Sequence, residues 1–227
     1  MGLIGKVERT IKRVFRNLDG RKRAKKLGLV LEQPNYIYKD NFNPKSIVVD
    51  VGCAHDPDLS LHFIKKYDVF AFGVDPTQKH FDSLRQVEQK YKKFKHLPYA
   101  VANENSTLLF YESIENVSGS LMKSHNNVQN GSVVEYEVEA LTIPAVISKT
   151  GYSKIDYLKI DLEGAEYALL TDIEKDHLKN IDQLFIEFHH HCIAEKTLED
   201  TKKLVKKIQK FGYQFFTVDE ANYLFYK

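Results

Sequence analysis

The chain has 227 residues, of which 43% are hydrophobic and 28% are charged, as in a globular protein with one sizeable core. No apolar run approaches the roughly 18 residues of a membrane span, and the first residues lack the apolar stretch of a signal peptide. The two cysteines, Cys53 and Cys192, have neither the count of a disulfide framework nor metal-ligand spacing. The composition therefore predicts a cytoplasmic protein.

Charge is spread unevenly along the chain. Residues 1–26 contain ten Lys/Arg and two acids, which leaves 23 basic and 29 acidic residues, a net charge of −6, in the remainder. Apolar residues of the basic segment recur at helical spacing: Ile4, Val7, Ile11, Val14 and Leu18. We expect a basic amphipathic helical segment over residues 1–33, which either packs on its own domain or makes a membrane-peripheral contact with anionic lipid or an acidic partner. The negative remainder argues against nucleic acid as a partner.

From residue 34 onward, strand-like and helix-like patterns alternate, which predicts one domain over residues 34–227. Strands are expected at residues 46–51, 69–74, 99–102, 136–141, 156–161, 183–189, 212–218 and 223–226. Helices are expected at residues 57–67, from Phe81 to Phe94, from about Ala165, and from Leu198 to Phe211. Residues 103–153 are less regular, with a polar excursion at residues 124–132. The alternation predicts a doubly wound α/β sheet with an antiparallel last strand, which binds ligands beyond the carboxyl ends of its strands.

The first of these strands ends in the sequence DVGCAHDPD. Gly52 permits a tight turn and a close approach of the backbone to a ligand. Asp56 and Asp58 fall at the start of the next helix, where they repel a pyrophosphate and favour a cationic amino or sulfonium group. Helix capping by itself explains these two acids equally well. The second and third glycines of a dinucleotide-binding fingerprint are missing.

The second strand ends in FGVDP. Asp75 follows Gly52 by 23 residues, close to the spacing of an acid that accepts hydrogen bonds from both ribose hydroxyls. Together with the first loop, this spacing indicates an adenosine-containing ligand.

Acidic residues also cluster in the stretch DYLKIDLEGAE, at the end of the strand predicted at residues 156–161. Asp161 and Glu163 follow the strand, Lys159 shares a face with Asp161, and we assign Glu166 to the helix start. The following strand is expected to place Glu187 and His189 on one face. These side chains would converge over one cleft, in an arrangement suited to proton abstraction or to a hard metal ion. A metal site made only of the three consecutive histidines at residues 189–191 is disfavoured, because side chains along a strand alternate between its two faces.

The stretches DVGCAHDPD, FGVDP, DYLKIDLEGAE and LFIEFHH resemble the FkbM-type S-adenosylmethionine-dependent methyltransferases, from about Ser46 to His189. The resemblance implies a class I (Rossmann-like) methyltransferase fold, with a doubly wound, mostly parallel seven-stranded sheet and an antiparallel C-terminal strand. It also implies S-adenosylmethionine as cofactor and O-methylation of a sugar, a glycan or a glycosylated small molecule.

The resemblance assigns roles by position. The methionine part of the cofactor would lie on the loop of Asp50, Gly52, Cys53 and Ala54, the ribose on Asp75 and Pro76, and the adenine near Ala102 and Asn103. The methyl-transfer side would be formed by Asp161, Glu163, Glu187 and His189. Family members commonly have an asparagine and a second glycine where this chain has Cys53-Ala54-His55-Asp56.

An alcohol acceptor needs a base or an electrostatic aid as its proton leaves. We interpret His189 as a base that is neutral near pH 7. Asp161 and Glu163 would orient it, hold sugar hydroxyls, or bind Mg²⁺ or Ca²⁺ with Glu187 as a further ligand. Two other functions stay open, an NAD(P)-linked oxidoreductase and a non-catalytic binding module of the same fold.

Overall fold

The computed structural model describes residues 19–32, 36–116, 119–121 and 132–227. The predicted apolar stripe from Ile4 to Leu18 and most of the polar excursion at residues 124–132 lie outside these ranges. None of the helices within them combines the length and the apolar character that a bilayer crossing requires.

The strands in chain order are β1 (Leu29–Glu32), β2 (Tyr36–Lys39), β3 (Ile47–Val51), β4 (Phe70–Val74), β5 (Phe94–Leu97), β6 (Ala100–Val101), β7 (Ser106–Ser113), β8 (Gly119–Ser120), β9 (Val133–Leu141), β10 (Ile155–Ile160), β11 (Ile181–Glu187), β12 (Gln214–Thr217) and β13 (Asn222–Tyr226). Besides the helical residues 19–26, the α-helices are α1 (Asp58–Tyr67), α2 (Phe81–Lys90), α3 (Ile143–Thr150), α4 (Glu166–Asp172) and α5 (Leu198–Lys210).

The main sheet has seven strands in the order β12-β13-β11-β10-β3-β4-β5. Strand β13 lies antiparallel between β11 and β12, and the other six strands are mutually parallel. The predicted fold class is therefore confirmed. The parallel pairing brings the carboxyl ends of β3, β4, β10 and β11 to one edge, where the chain continues into the loops that carry the predicted site residues.

Both faces of the main sheet are covered, which explains why its central strands are apolar almost throughout. Val49, Leu158 and Ile186 belong to a buried cluster that includes side chains of α3, α4 and α5. On the alternate positions, Val48 and Tyr157 belong to a second cluster, formed with α1, α2 and the β1–β2 hairpin.

A second, four-stranded sheet of order β6-β9-β7-β8 lies between the two halves of the main sheet in the chain. Strand β7 pairs with β9 along all eight of its residues. The sequence pattern predicted the end of β9, but it predicted neither β7 nor helix α3 in this irregular stretch. Their stability depends on pairing and packing across long stretches of chain.

The predicted helix through Phe94 is wrong, since α2 ends at Lys90 and Phe94 begins β5, the edge strand of the main sheet. Phe94 follows Tyr91 by three residues, which matches the spacing of one helical face. Its side chain is nevertheless buried as part of a strand. The strand predicted at residues 99–102 exists as β6 (Ala100–Val101), but it belongs to the second sheet.

The β1–β2 hairpin is fastened to the main sheet by buried polar groups. Gln183 accepts a hydrogen bond from the Lys39 N–H (2.6 Å) and donates to the Lys39 carbonyl (3.2 Å) and to Asn41 (2.9 Å). The Tyr157 hydroxyl donates to the Ile37 carbonyl at 3.1 Å. The hairpin spans the predicted domain boundary at residue 33, and that boundary stays a prediction.

Replacing Gln183 by leucine tests this attachment. Gln183→Leu keeps the volume but removes the acceptor of the Lys39 N–H, so we expect the free energy of unfolding to fall by about 2 kcal/mol. Urea denaturation would measure it. The control Gln86→Leu, at an exposed position of α2, should change it by less than about 0.5 kcal/mol, and an equal effect of the two substitutions would contradict the assignment.

Candidate active site

A cleft opens beyond the carboxyl ends of β3, β4 and β10. Its polar lining includes Gly52, Asp75, Thr77 and Asp161, and the second sheet contributes Phe110 and the residues 119–121. Apolar side chains make up most of the wall: Val51, Val74, Tyr99, Val101, Phe110, Leu121 and Leu162. The cleft is therefore a mainly apolar site with carboxylates at defined points, as expected of a small-molecule site.

Gly52 makes the sharp turn that the sequence predicts. Its φ is +76°, and a Cβ at this position would lie 1.8 Å from the Asp161 carbonyl oxygen. Its N–H donates to the Val74 carbonyl at 2.9 Å. Only glycine satisfies both the left-handed conformation and this contact, so the loop after β3 rests directly on the end of β10.

Asp75 is buried and holds two loops together. Its Oδ2 accepts the Ala54 N–H (2.9 Å), and its Oδ1 accepts the Thr77 N–H (2.8 Å) and lies 3.4 Å from His80 Nδ1. Although burial by itself raises the pKa of Asp75, the contact with His80 and the hydrogen bond from Thr77 bring it below its usual value. Asp75 therefore stays ionised in the cleft wall. The pattern of acids at strand ends gave no signal for His80.

Lys159 is partly buried beneath the strand ends. Its Nζ lies 3.1 Å from Asp161 Oδ2, 3.4 Å from Asp50 Oδ1 and 3.4 Å from the Gly52 carbonyl oxygen. Burial lowers the pKa of Lys159, but the charges of Asp161 and Asp50 outweigh it and raise that pKa well above its ordinary value. The expected contact between the Lys159 ammonium and an acid is confirmed.

His189 lies beyond the end of β11 rather than within the strand as predicted, because β11 ends at Glu187. Its Nδ1 lies 3.2 Å from Glu166 Oε1, and its Nε2 lies 3.6 Å from Asp161 Oδ1 and 3.8 Å from Glu163 Oε2. The sequence therefore correctly predicted that Asp161, Glu163 and His189 converge. Asp161 belongs both to this cluster and to the cleft wall.

Glu166 begins α4, so its assignment to the helix start is confirmed, but its side chain also makes buried contacts that the sequence did not predict. The side chain is 0% exposed and accepts hydrogen bonds from the backbone N–H of Gly164 and of His189, both at 2.8 Å. It therefore joins the turn after β10 to the segment after β11 and faces the imidazole ring. An acid in the first turn of a helix looks the same in sequence whether it faces solvent or the core.

Two of the predicted site residues, His189 and Glu187, have shifted pKa values. Burial lowers the pKa of His189, but the hydrogen bond with Glu166 and the charges of Glu166, Asp161 and Glu163 raise it to about 9. The interpretation of His189 as a neutral base is therefore wrong. Burial and the neighbouring Asp161 raise the pKa of Glu187 to about 7.

The turn that carries Glu163 has an unusual backbone. Glu163 has a φ of +48° and Gly164 a φ of +101°. The Glu163 carbonyl accepts a hydrogen bond from the Ser120 hydroxyl of β8 at 3.1 Å. A left-handed glutamate costs about 1–3 kcal/mol, a strain that structures tend to retain at functional sites.

Several predicted site residues lie outside the cleft lining that the described residues form. Asp50 lies beneath the cleft lining, where it accepts a hydrogen bond from the Ser60 hydroxyl at 3.0 Å, and Cys53 is buried. Asn103 donates to the Ala168 carbonyl (3.2 Å) and to Asp172 (2.7 Å). Residues 99–101 border the cleft instead, while Ala102 and Asn103 line a neighbouring cavity of about 540 Å³. Pro76 lines the cleft as predicted.

Across the described ranges, no group of three or more His, Cys, Asp or Glu side chains has a geometry that would hold a metal ion. Asp161 and Glu163 face the cations Lys159 and His189 instead.

Comparison with solved structures gives remote similarities. The chain is 10% identical to the Methanococcus jannaschii fibrillarin pre-rRNA processing protein, with a TM-score of 0.47 and coverage of 81% of this chain and 66% of that one. For the Aeropyrum pernix fibrillarin in complex with natively bound S-adenosyl-L-methionine, the identity is 10% and the TM-score 0.44, with coverage of 82% of this chain and 66% of that one. For a precorrin-6y C5,15-methyltransferase from Geobacter metallireducens GS-15, the identity is 9% and the TM-score 0.45, with coverage of 82% of each chain. The chain thus spans about two thirds of each fibrillarin chain.

A comparison with curated protein sequences gave no match. The family model described as the methyltransferase FkbM domain matches residues 21–215, which is most of the chain and includes every residue discussed above for the cleft and its acidic cluster. The protein therefore belongs to the FkbM methyltransferase family.

Proposed function

We propose that the protein is an S-adenosylmethionine-dependent O-methyltransferase that acts on a hydroxyl of a sugar, a glycan or a glycosylated small molecule. The observation that carries the proposal is the position of Asp161. This carboxylate forms part of the cleft beside Gly52 and Asp75, and it also faces His189 in the acidic cluster.

The lining of the cleft fits S-adenosylmethionine. Apolar side chains such as Val101 and Phe110 suit an adenine, the Asp75 carboxylate suits a ribose hydroxyl, and Asp161 suits a cationic group. When bound, this cofactor supplies an electrophilic methyl group on a sulfonium centre. Asp58 in the first turn of α1 disfavours the pyrophosphate of NAD(P) at that helix.

The acidic cluster supplies what an alcohol acceptor lacks. Ile160 pairs with Ile186, so Asp161 and Glu187 follow on neighbouring strands. With a pKa near 7, Glu187 is suited to accept the hydroxyl proton. His189, held as a cation, fixes the carboxylates of Asp161 and Glu163, which are suited to bind hydroxyl groups of a sugar.

Cofactor class is tested by calorimetric titration of the full chain with S-adenosylhomocysteine and with NADH. We expect S-adenosylhomocysteine to bind and NADH not to bind, and the reverse result would favour an oxidoreductase.

Gly52→Ala should abolish S-adenosylhomocysteine binding, because the added Cβ would overlap the Asp161 carbonyl oxygen. The control Gly151→Ala also changes a glycine with positive φ, but nothing lies within 4 Å of its Cβ, so binding should persist.

The acceptor is tested by a mass-spectrometric screen for methyl addition to glycans and to RNA, with S-adenosylmethionine supplied. We expect transfer to a glycan and none to RNA.

Replacing Glu187 by glutamine should slow methyl transfer by roughly 100-fold or more, because the group that accepts the hydroxyl proton is lost. The affinity for S-adenosylhomocysteine should stay within about threefold, because only proton transfer is affected. Glu139→Gln, at an exposed position of β9, is the control.

Normal transfer in Glu187→Gln would remove this residue from the chemistry. If Asp161→Ala and His189→Ala also transfer methyl groups normally, the cluster has no part in catalysis. Binding of S-adenosylhomocysteine with no acceptor found in any class would favour the non-catalytic module. Loss of transfer on adding a chelator, restored by Mg²⁺ or Ca²⁺, would establish the metal dependence that the sequence left open.

The charge on His189 is tested through stability. Its pKa is raised in the folded protein, so its contribution to stability is complete below about pH 6.5 and is lost as pH rises through about 9. Glu166→Gln should therefore lower the free energy of unfolding by roughly 3 kcal/mol at pH 6 and by much less at pH 10. Urea denaturation at both values measures this, with the exposed Glu137→Gln as control. A loss independent of pH would contradict the ion pair.

A further inference from the structure

His80 makes a buried contact with the cleft carboxylate Asp75. It closes a short 3-10 turn (Gln78–His80) after β4, and its side chain is only 4% exposed. Its Nδ1 lies 3.4 Å from Asp75 Oδ1. An imidazole lone pair facing a carboxylate would be repelled, so the proton belongs on Nδ1.

That tautomer leaves Nε2 of His80 as an acceptor. Nε2 is buried, and no hydrogen-bond partner for it exists among the described residues. An unsatisfied buried acceptor is destabilising, so the hydrogen bonding of His80 contributes little to folding by itself. What the ring does provide is a fixed donor to one oxygen of Asp75.

The hydrogen bonds to Asp75 leave it little remaining capacity. A carboxylate offers about four acceptor positions, two on each oxygen. Oδ1 receives the Thr77 N–H and the His80 ring, and Oδ2 receives the Ala54 N–H. One position therefore remains, on Oδ2. The two vicinal hydroxyls of a ribose would need a free position on each oxygen to be held together.

We infer that Asp75 accepts a hydrogen bond from only one ribose hydroxyl of the bound cofactor, and that His80 is the positioning residue that reserves Oδ1. This departs from the sequence-based expectation that Asp75 accepts hydrogen bonds from both hydroxyls. The inference rests on the proposed function, since it takes the cofactor to be S-adenosylmethionine. It makes this side of the cleft selective for a single hydroxyl position.

The test compares S-adenosylhomocysteine with its 2′-deoxy and 3′-deoxy analogues, by calorimetric titration of the full unmodified chain. One analogue should bind about 10- to 100-fold more weakly, as expected for the loss of a hydrogen bond to a charged group. The other should bind within about threefold of the parent. Equal weakening of both analogues, or weakening of neither, would overturn the inference. Failure of the parent compound to bind would instead overturn the proposed function and the inference with it.

A second arm replaces His80. His80→Phe keeps a ring but frees the second position on Oδ1, so the analogue that was tolerated should now bind at least about fivefold more weakly than the parent. His80→Asn keeps a donor and should preserve the original discrimination. A role confined to folding would move the affinities of all three ligands together.

The matched control is His96→Phe. The Nε2 of His96 lies 2.9 Å from the Asp75 backbone carbonyl oxygen, so His96 contacts the backbone of Asp75 rather than its carboxylate. Discrimination between the two deoxy analogues should therefore be unchanged in His96→Phe. If His96→Phe and His80→Phe alter the discrimination equally, the effect does not pass through Oδ1 and the role of His80 is refuted.

Discussion

The charged groups of the candidate active site depend on one partly buried cation, the ammonium of Lys159. An ammonium taken out of water costs several kcal/mol unless carboxylates and hydrogen bonds surround it. Here Asp50 of β3 and Asp161 after β10 face it at 3.4 and 3.1 Å. One cation thereby links the two central strands and fixes Asp161, the residue that the cleft and the acidic cluster share.

The balance of charge around that cation accounts for the shifted pKa values of the neighbouring groups. Lys159 and His189 face five carboxylates: Asp50, Asp161, Glu163, Glu166 and Glu187. The excess of negative charge in a partly buried site explains why Glu187 takes up a proton near neutral pH and why His189 keeps one. It also favours a cationic ligand in the adjoining cleft.

Acids at strand ends could be predicted from the sequence because they depend on local pattern. A buried strand followed by an acid is visible in the residues around Asp161, and the parallel sheet then brings Glu187 beside it. The contacts of Glu166 and His80 could not be predicted, because they depend on which way each side chain packs. The second sheet was missed for a related reason, since β7 and β9 stabilise each other only after they have paired.

The contact of Gly52 with the Asp161 carbonyl has a thermodynamic consequence. The loop on one side of it is expected to hold the methyl donor, and the residue on the other side belongs to the acidic cluster that we propose faces the acceptor. Because no atom of a side chain separates the two backbones, neither can shift far without the other. Occupancy of one half of the cleft should then alter the affinity of the other half, and the free energy of that coupling is the same whichever ligand binds first.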